Sequence, residues 1–133
     1  MDKNMLCTLA KERMKNSYSP YSSFCVGAAL LSKSGKVFLG TNIENASFGE
    51  TVCAERVAFF KAISEGEREL VSIAIVGGKN GSIEDFCLPC FSCRQVMREF
   101  CEDDFEIVLQ NGKGEIKVFD LKTLAPHPFS NLE

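Results

Sequence analysis

Two short segments, far apart in the chain, constrain it most. Thr51-Val52-Cys53-Ala54-Glu55-Arg56 supplies one thiol and one carboxylate, and Pro89-Cys90-Phe91-Ser92-Cys93 supplies two more thiols. If Cys53, Cys90 and Cys93 hold one metal ion, the fold must bring both segments to a single point. Zinc held by three thiolates keeps its fourth tetrahedral position free for water, which separates a catalytic site from a structural one. Pro89 ends the preceding loop, and Cys90 and Cys93, three residues apart at the start of an expected helix, share a face of it. Cys53 also stands at a helix start. Helix N-termini carry partial positive charge and favour the thiolate form that binds metal. The expected design is therefore two helix N-termini meeting at one ion.

The neighbouring charges fit that design. Three thiolates around Zn²⁺ leave a net charge of about −1, and Arg56, three residues after Cys53, is placed to donate a hydrogen bond to a sulfur. Glu55 is harder to place. Two residues along an ideal helix is a rotation of about 200°, so Cys53 and Glu55 do not share a face. They meet only if the ion sits at the helix end and Glu55 reaches past it, as a general acid/base beside the metal. Taken alone, a glutamate in a first helical turn is a solvated residue favoured by the helix dipole. Cys87-x-x-Cys90-x-x-Cys93 also suits an iron–sulfur cluster or, with Cys53, a closed Cys₄ zinc site. Cys7, Cys25 and Cys101 fall on apolar faces and read as core residues. His127, the only histidine, lies between two prolines and reads as surface.

The rest of the chain bounds the answer. Its 133 residues suit one domain, 1–133, and the balance of 45% hydrophobic and 25% charged residues is globular. No apolar run approaches the roughly 18 residues that cross a bilayer, so no membrane partner is expected. Met1-Asp2-Lys3-Asn4 does not open a signal peptide, so a cytoplasmic location is expected. A net charge of −3 disfavours a nucleic-acid partner. Seven cysteines, an odd number, argue against a pure disulfide framework.

Periodicity predicts an amphipathic helix over 2–16, strands over 25–31 and 36–39 around Ser34-Gly35, and a polar loop over 41–50. A helix with Val57, Ala58, Phe60 and Ile63 on its apolar face follows over 53–64, with Gly66 as its stop. A central strand is expected over 71–76, interrupted by Gly77-Gly78. A helix over 92–101, strands over 106–109 and 115–119, and a helical turn over 121–124 complete the order α-ββ-α-β-α-ββ. That order predicts an α/β fold: three α/β/α layers on a mixed five-stranded sheet.

At the two cysteine segments, continuing through Arg94-Gln95-Val96, the chain resembles the small, homotetrameric cytidine deaminases of the zinc-dependent cytidine/deoxycytidylate deaminase superfamily. The resemblance extends through Tyr21-Ser22-Ser23-Phe24-Cys25-Val26-Gly27-Ala28-Ala29-Leu30 and Asn42-Ile43-Glu44-Asn45-Ala46-Ser47, and the second of these segments points to nucleoside users. It implies hydrolytic conversion of cytidine and 2′-deoxycytidine to uridine and 2′-deoxyuridine with release of ammonia. It implies one Zn²⁺ per chain on Cys53, Cys90 and Cys93, with Glu55 as proton shuttle and Arg56 behind the sulfurs. It implies substrate contacts from Phe24, Asn42, Glu44, Ala46 and Ala54, and from Phe129 of a neighbouring subunit in a homotetramer with shared active sites. A related enzyme acting on another aminopyrimidine nucleoside, such as blasticidin S, is the nearest rival. The family usually has small residues where Phe91 and Ser92 stand, and often tyrosine where Phe48 stands; Phe48 lacks the hydroxyl that would bind a sugar.

Overall fold

The computed structural model of the chain describes residues 1–129; residues 130–133, the end of the expected domain, lie outside the described residues. Along the chain come α1 (Lys3–Arg13), β1 (Phe24–Ser32), β2 (Val37–Thr41), α2 (Ala54–Ser64), β3 (Leu70–Lys79), α3 (Phe91–Phe100), β4 (Glu106–Gln110), β5 (Ile116–Asp120) and α4 (Leu121–Leu124). The expected order of elements is the observed one, with ends shifted by up to a few residues. None of the described helices is long and apolar enough to cross a membrane.

The strands form one sheet in the order β2-β1-β3-β4-β5. β3 and β4 are parallel, and the other neighbours are antiparallel. A parallel pair needs a long crossover, and α3 lies in it. Alternate residues of each central strand face opposite sides, as the two-residue strand period requires. Ala28, Leu30, Ile73, Ile75, Ile107 and Leu109 pack under α2 and α3. Ala29, Ala74, Val76 and Val108 pack against Leu6, Cys7, Ala10 and Met14 on the α1 side. The result is the expected three layers, with α2 and α3, whose N-termini follow Cys53 and Cys90, on one face.

Local chemistry sets the helix ends. The Asp2 carboxylate accepts from Met5 N at 2.8 Å and caps α1. The buried face of α2 is Ala54, Glu55, Ala58, Phe59 and Ala62; of the expected Val57, Ala58, Phe60 and Ile63, Ala58 is buried, Val57 and Ile63 are half-buried, and Phe60 is exposed while Phe59 takes the core. Every apolar residue in 57–60 fits some helical face, so only the position of the sheet chooses between them. Cys25 is half-buried rather than in the core.

Gly77 and Gly78 do not interrupt β3. They pair with Val26 and Cys25, and the strand runs on to Lys79. The ladder uses only backbone groups, and the missing side chains let neighbours close in. A Cβ on Gly77 would lie 3.0 Å from both the Cys87 sulfur and the Phe24 ring. Gly40 does the same for α2: a Cβ there would lie 2.2 Å from Ala54 O. The start of α2 is thus pressed directly onto β2, and that contact places Cys53 and Glu55.

Candidate metal centre and active site

Cys53 and Cys90 occupy equivalent places. Each is the residue immediately before its helix, with extended backbone: φ −78°, ψ 155° at Cys53 and φ −68°, ψ 166° at Cys90. Cys93 lies three residues into α3 and is buried. The Cys53 and Cys90 sulfurs are 3.8 Å apart, and those of Cys90 and Cys93 3.5 Å. Zinc–sulfur bonds of about 2.3 Å in a tetrahedron place sulfurs about 3.8 Å apart. The triangle therefore fits one zinc ion with little adjustment. Among the described residues this trio is the one cluster of metal-ligating side chains. Cys87 is outside it, which removes the closed Cys₄ reading. Burial pushes its thiol up to about 12.

The charges within the trio are ordered. Cys53 falls to about 5, chiefly because Cys93 donates a hydrogen bond to it, with further bonds from Arg56 and Cys90 working against burial. Cys93 shifts upward because its proton serves that bond. Arg56 Nη2 lies 3.4 Å from the Cys53 sulfur, the contact expected from their spacing. Its Nε is buried without a partner. A guanidinium tolerates this poorly unless negative charge stands nearby, as thiolates of this centre provide.

Glu55 is buried, 5% exposed, and so is not the solvated first-turn residue that its position alone suggests. Burial raises its pKa from 4.5 to about 7, and the neighbouring Cys53 charge adds to the rise. The helical-face conflict with Cys53 dissolves because Cys53 is not in the helix. Its extended backbone turns the sulfur back across the helix end, toward the side on which Glu55 is buried.

Both residues line a cavity of ≈ 270 Å³. Its walls include Phe24, Val26, Asn42, Glu44, Ala54, Cys87, Leu88 and Cys90. Asn42 is buried, and three of its four bonding positions are already used. Its Oδ1 accepts from Val26 N at 2.9 Å and from the Ser17 hydroxyl at 2.6 Å, and its Nδ2 donates to Phe24 O at 2.7 Å. One N–H remains. Glu44 accepts from Tyr21 N, from Ser22 N and from the Ser22 hydroxyl. The Ser22 hydroxyl bond is the main reason its carboxyl titrates below 4.5, so it is a carboxylate at neutral pH. A carboxylate has about four acceptor positions, so one remains here too.

Two expected substrate contacts are not on these walls. Ala46 is exposed, turned away in the loop before the short helical turn at Phe48–Glu50. Phe129 is 68% exposed and is absent from the walls of the cavity of its own chain. Sequence reasoning missed Ser22, Thr51, Val52 and Leu88, which all line the cavity. Each lies within two positions of a residue it did find, and that closeness was the available signal.

Residues 1–109 match the family described as the cytidine and deoxycytidylate deaminase zinc-binding region. The chain is 47% identical over 130 residues to a cytidine deaminase of Halalkalibacterium halodurans, covering 98% of this chain and 96% of the relative. It is 42% identical over 130 residues to a cytidine deaminase of Sporosarcina psychrophila, covering 98% and 93%. A crystal structure of cytidine deaminase from Burkholderia pseudomallei superposes with a TM-score of 0.89 at 43% identity, covering 97% of this chain and 100% of that one.

Proposed function

The chain belongs to the cytidine and deoxycytidylate deaminase family, a family of zinc-dependent hydrolytic deaminases, and from that premise we propose that it converts cytidine and 2′-deoxycytidine to their uridines with release of ammonia. One observation carries the reading. Two corners of a sulfur triangle of zinc-binding size, Cys53 and Cys90, line the same cavity as a buried, raised-pKa carboxylate.

Cys53, Cys90 and Cys93 would hold the zinc. When bound, the ion supplies Lewis acidity that makes water a nucleophile at neutral pH. Glu55 moves the protons. It takes one from the attacking water and delivers it to N3 of the pyrimidine as the new C4–O bond forms. It then carries the second proton to the departing amine as the C4–N bond breaks, so ammonia leaves and the C4 carbonyl remains. A carboxyl with a pKa of about 7 both takes and gives protons near neutrality. Arg56 offsets the charge of the thiolates from behind.

The sugar is read by what the scaffold leaves free. Asn42 has one N–H left and Glu44 one acceptor position, a matched pair for ribose hydroxyl groups. That pair favours an ordinary nucleoside over a modified-sugar antibiotic. Phe24 and Val26 form the apolar wall beside the base. Phe129 reaches the site of a neighbouring chain in a homotetramer, which accounts for its exposure here. None of the seven cysteines is in a disulfide, which suits the reducing cytoplasm. The direct test follows the ultraviolet spectrum of cytidine mixed with the protein, with and without a chelator. Conversion to uridine that the chelator abolishes is the expected result, and an unchanged spectrum overturns the reading.

A further inference from the structure

Helix α3 does more than present Cys93 and follow Cys90. Its face at residues 94, 95 and 98 holds the C-terminal segment by its carbonyl groups. Arg94 Nη1 donates to Leu124 O at 2.9 Å, and Arg98 Nε and Nη2 donate to Ala125 O at 3.1 and 3.0 Å. Gln95 Nε2 donates to Phe129 O at 2.6 Å. Arg94 Nε also donates to Pro89 O at 2.8 Å, the carbonyl just before Cys90. The Asp103 carboxylate fixes Arg98 from its other side at 2.6 Å.

The four residues after Ala125 are a special stretch. Pro126 and Pro128 lack an N–H and fix their own φ. His127 between them has φ 51°, a left-handed conformation that costs a side-chain-bearing residue energy. Among the described residues, the one hydrogen bond that reaches residues 126–129 is the bond from Gln95 to Phe129 O. With the base fixed at Ala125 by Arg98, the Gln95 bond is the second point that sets the direction of residues 126–129. The Phe129 ring is left exposed while its backbone is held.

We propose that Gln95 is a positioning residue for catalysis: by holding Phe129 O it aims the Phe129 ring, from the helix that also carries Cys93, into the active site of a neighbouring chain. This rests on Phe129 contacting substrate there. It adds that the aim is set within the donor chain by a side chain that touches neither substrate nor metal. Losing the anchor leaves the ring present but free to turn, so binding weakens while the chemical step stays.

A double-mutant cycle tests it with Gln95→Ala, Phe129→Ala and the pair. For each, KM and kcat for cytidine, Kd for uridine, zinc per chain and assembly mass are measured. Phe129→Ala is expected to raise KM roughly tenfold through loss of a stacked ring. Gln95→Ala is expected to raise KM and Kd by about three- to tenfold, the worth of one neutral hydrogen bond, with kcat, zinc and mass kept. The pair should match Phe129→Ala alone, because an anchor without its ring has nothing to aim. Gln95→Met, which keeps the stem and loses the donor, should behave as Gln95→Ala. If Phe129→Ala leaves KM unchanged, the substrate role of Phe129 fails, and this proposal with it. If Phe129→Ala raises KM while Gln95→Ala does not, or the two effects multiply in the pair, the positioning role alone is overturned. Loss of assembly in both Gln95 variants also overturns it and makes Gln95 an interface residue.

Discussion

Cys53 stands just outside α2 with extended backbone, and Glu55, two residues later, is buried within the first turn of that helix. The change of backbone between them lets a thiol and a carboxylate so close in sequence face one cavity. A regular helix through both would send one of them away. The same device recurs at Cys90, so each helix N-terminus delivers a sulfur without spending a position on its buried face.

Glu55→Gln separates proton transfer from everything else. Gln is isosteric and still fits the buried site, and it holds no labile proton of the right acidity. Zinc content and melting temperature should stay near wild type, while kcat falls by at least the 10²–10⁴-fold, in rough terms, expected for a general acid/base. Metal analysis beside turnover checks this. Joint loss of zinc and activity would make Glu55 a ligand.

Cysteine replacements should sort into two groups. Serine at 53, 90 or 93 removes a corner of the sulfur triangle, and bound zinc should drop well below one per chain. Cys87→Ser should leave zinc stoichiometry intact, because Cys87 stands outside the triangle. Its serine hydroxyl adds a polar group beside Glu55, so kcat is the quantity free to change. Zinc lost from Cys87→Ser would revive a four-thiolate site.

Cytidine should be a far better substrate than its 5′-phosphate. Among the described residues, the cavity walls include Glu44 and Glu55 and no lysine or arginine. Glu44 titrates below 4.5, so its charge, and the ordering it gives Tyr21 and Ser22, is complete above that pH and is lost only as pH falls through the lowered value. A phosphate dianion thus meets an uncompensated carboxylate across the neutral range. The cost in kcat/KM is at least about tenfold. Comparable kcat/KM values for nucleoside and nucleotide at pH 7 would refute this.

Gly40→Ala should damage the metal centre from outside it. The new Cβ would lie 2.2 Å from Ala54 O and 2.7 Å from Ala58 N, so α2 must move off β2. Overpacking of this kind costs about 1–3 kcal/mol, or roughly 4–12 °C in Tm for a chain of this size. Ala54 lies between Cys53 and Glu55, so zinc retention against a chelator should weaken as well. A variant with unchanged Tm and zinc retention would show that the contact between α2 and β2 has slack.

The chain's own residues already carried the element order, the three layers and the metal-binding trio. Those features depend on local periodicity, on helix-start chemistry and on ligand spacing, all of which are properties of neighbours in sequence. The pairing of Cys53 with Cys90 and Cys93 was legible because few side chains bind metal and their types are conspicuous. Tertiary structure decided what depends on contacts across the chain. Phe59 rather than Phe60 enters the core because of where the sheet lies under α2. Glu55 becomes a raised-pKa acid because the body of the protein shuts water away from it. Gly77 and Gly78 continue β3 because their backbone pairs with Val26 and Cys25, while Ser82, Cys87 and Phe24 fill the space where side chains would be. Asn42 and Glu44 are each reduced to one free bonding position by partners 16 to 25 residues away. Burial and hydrogen-bond occupancy arise from atoms distant in sequence, and local pattern does not encode them.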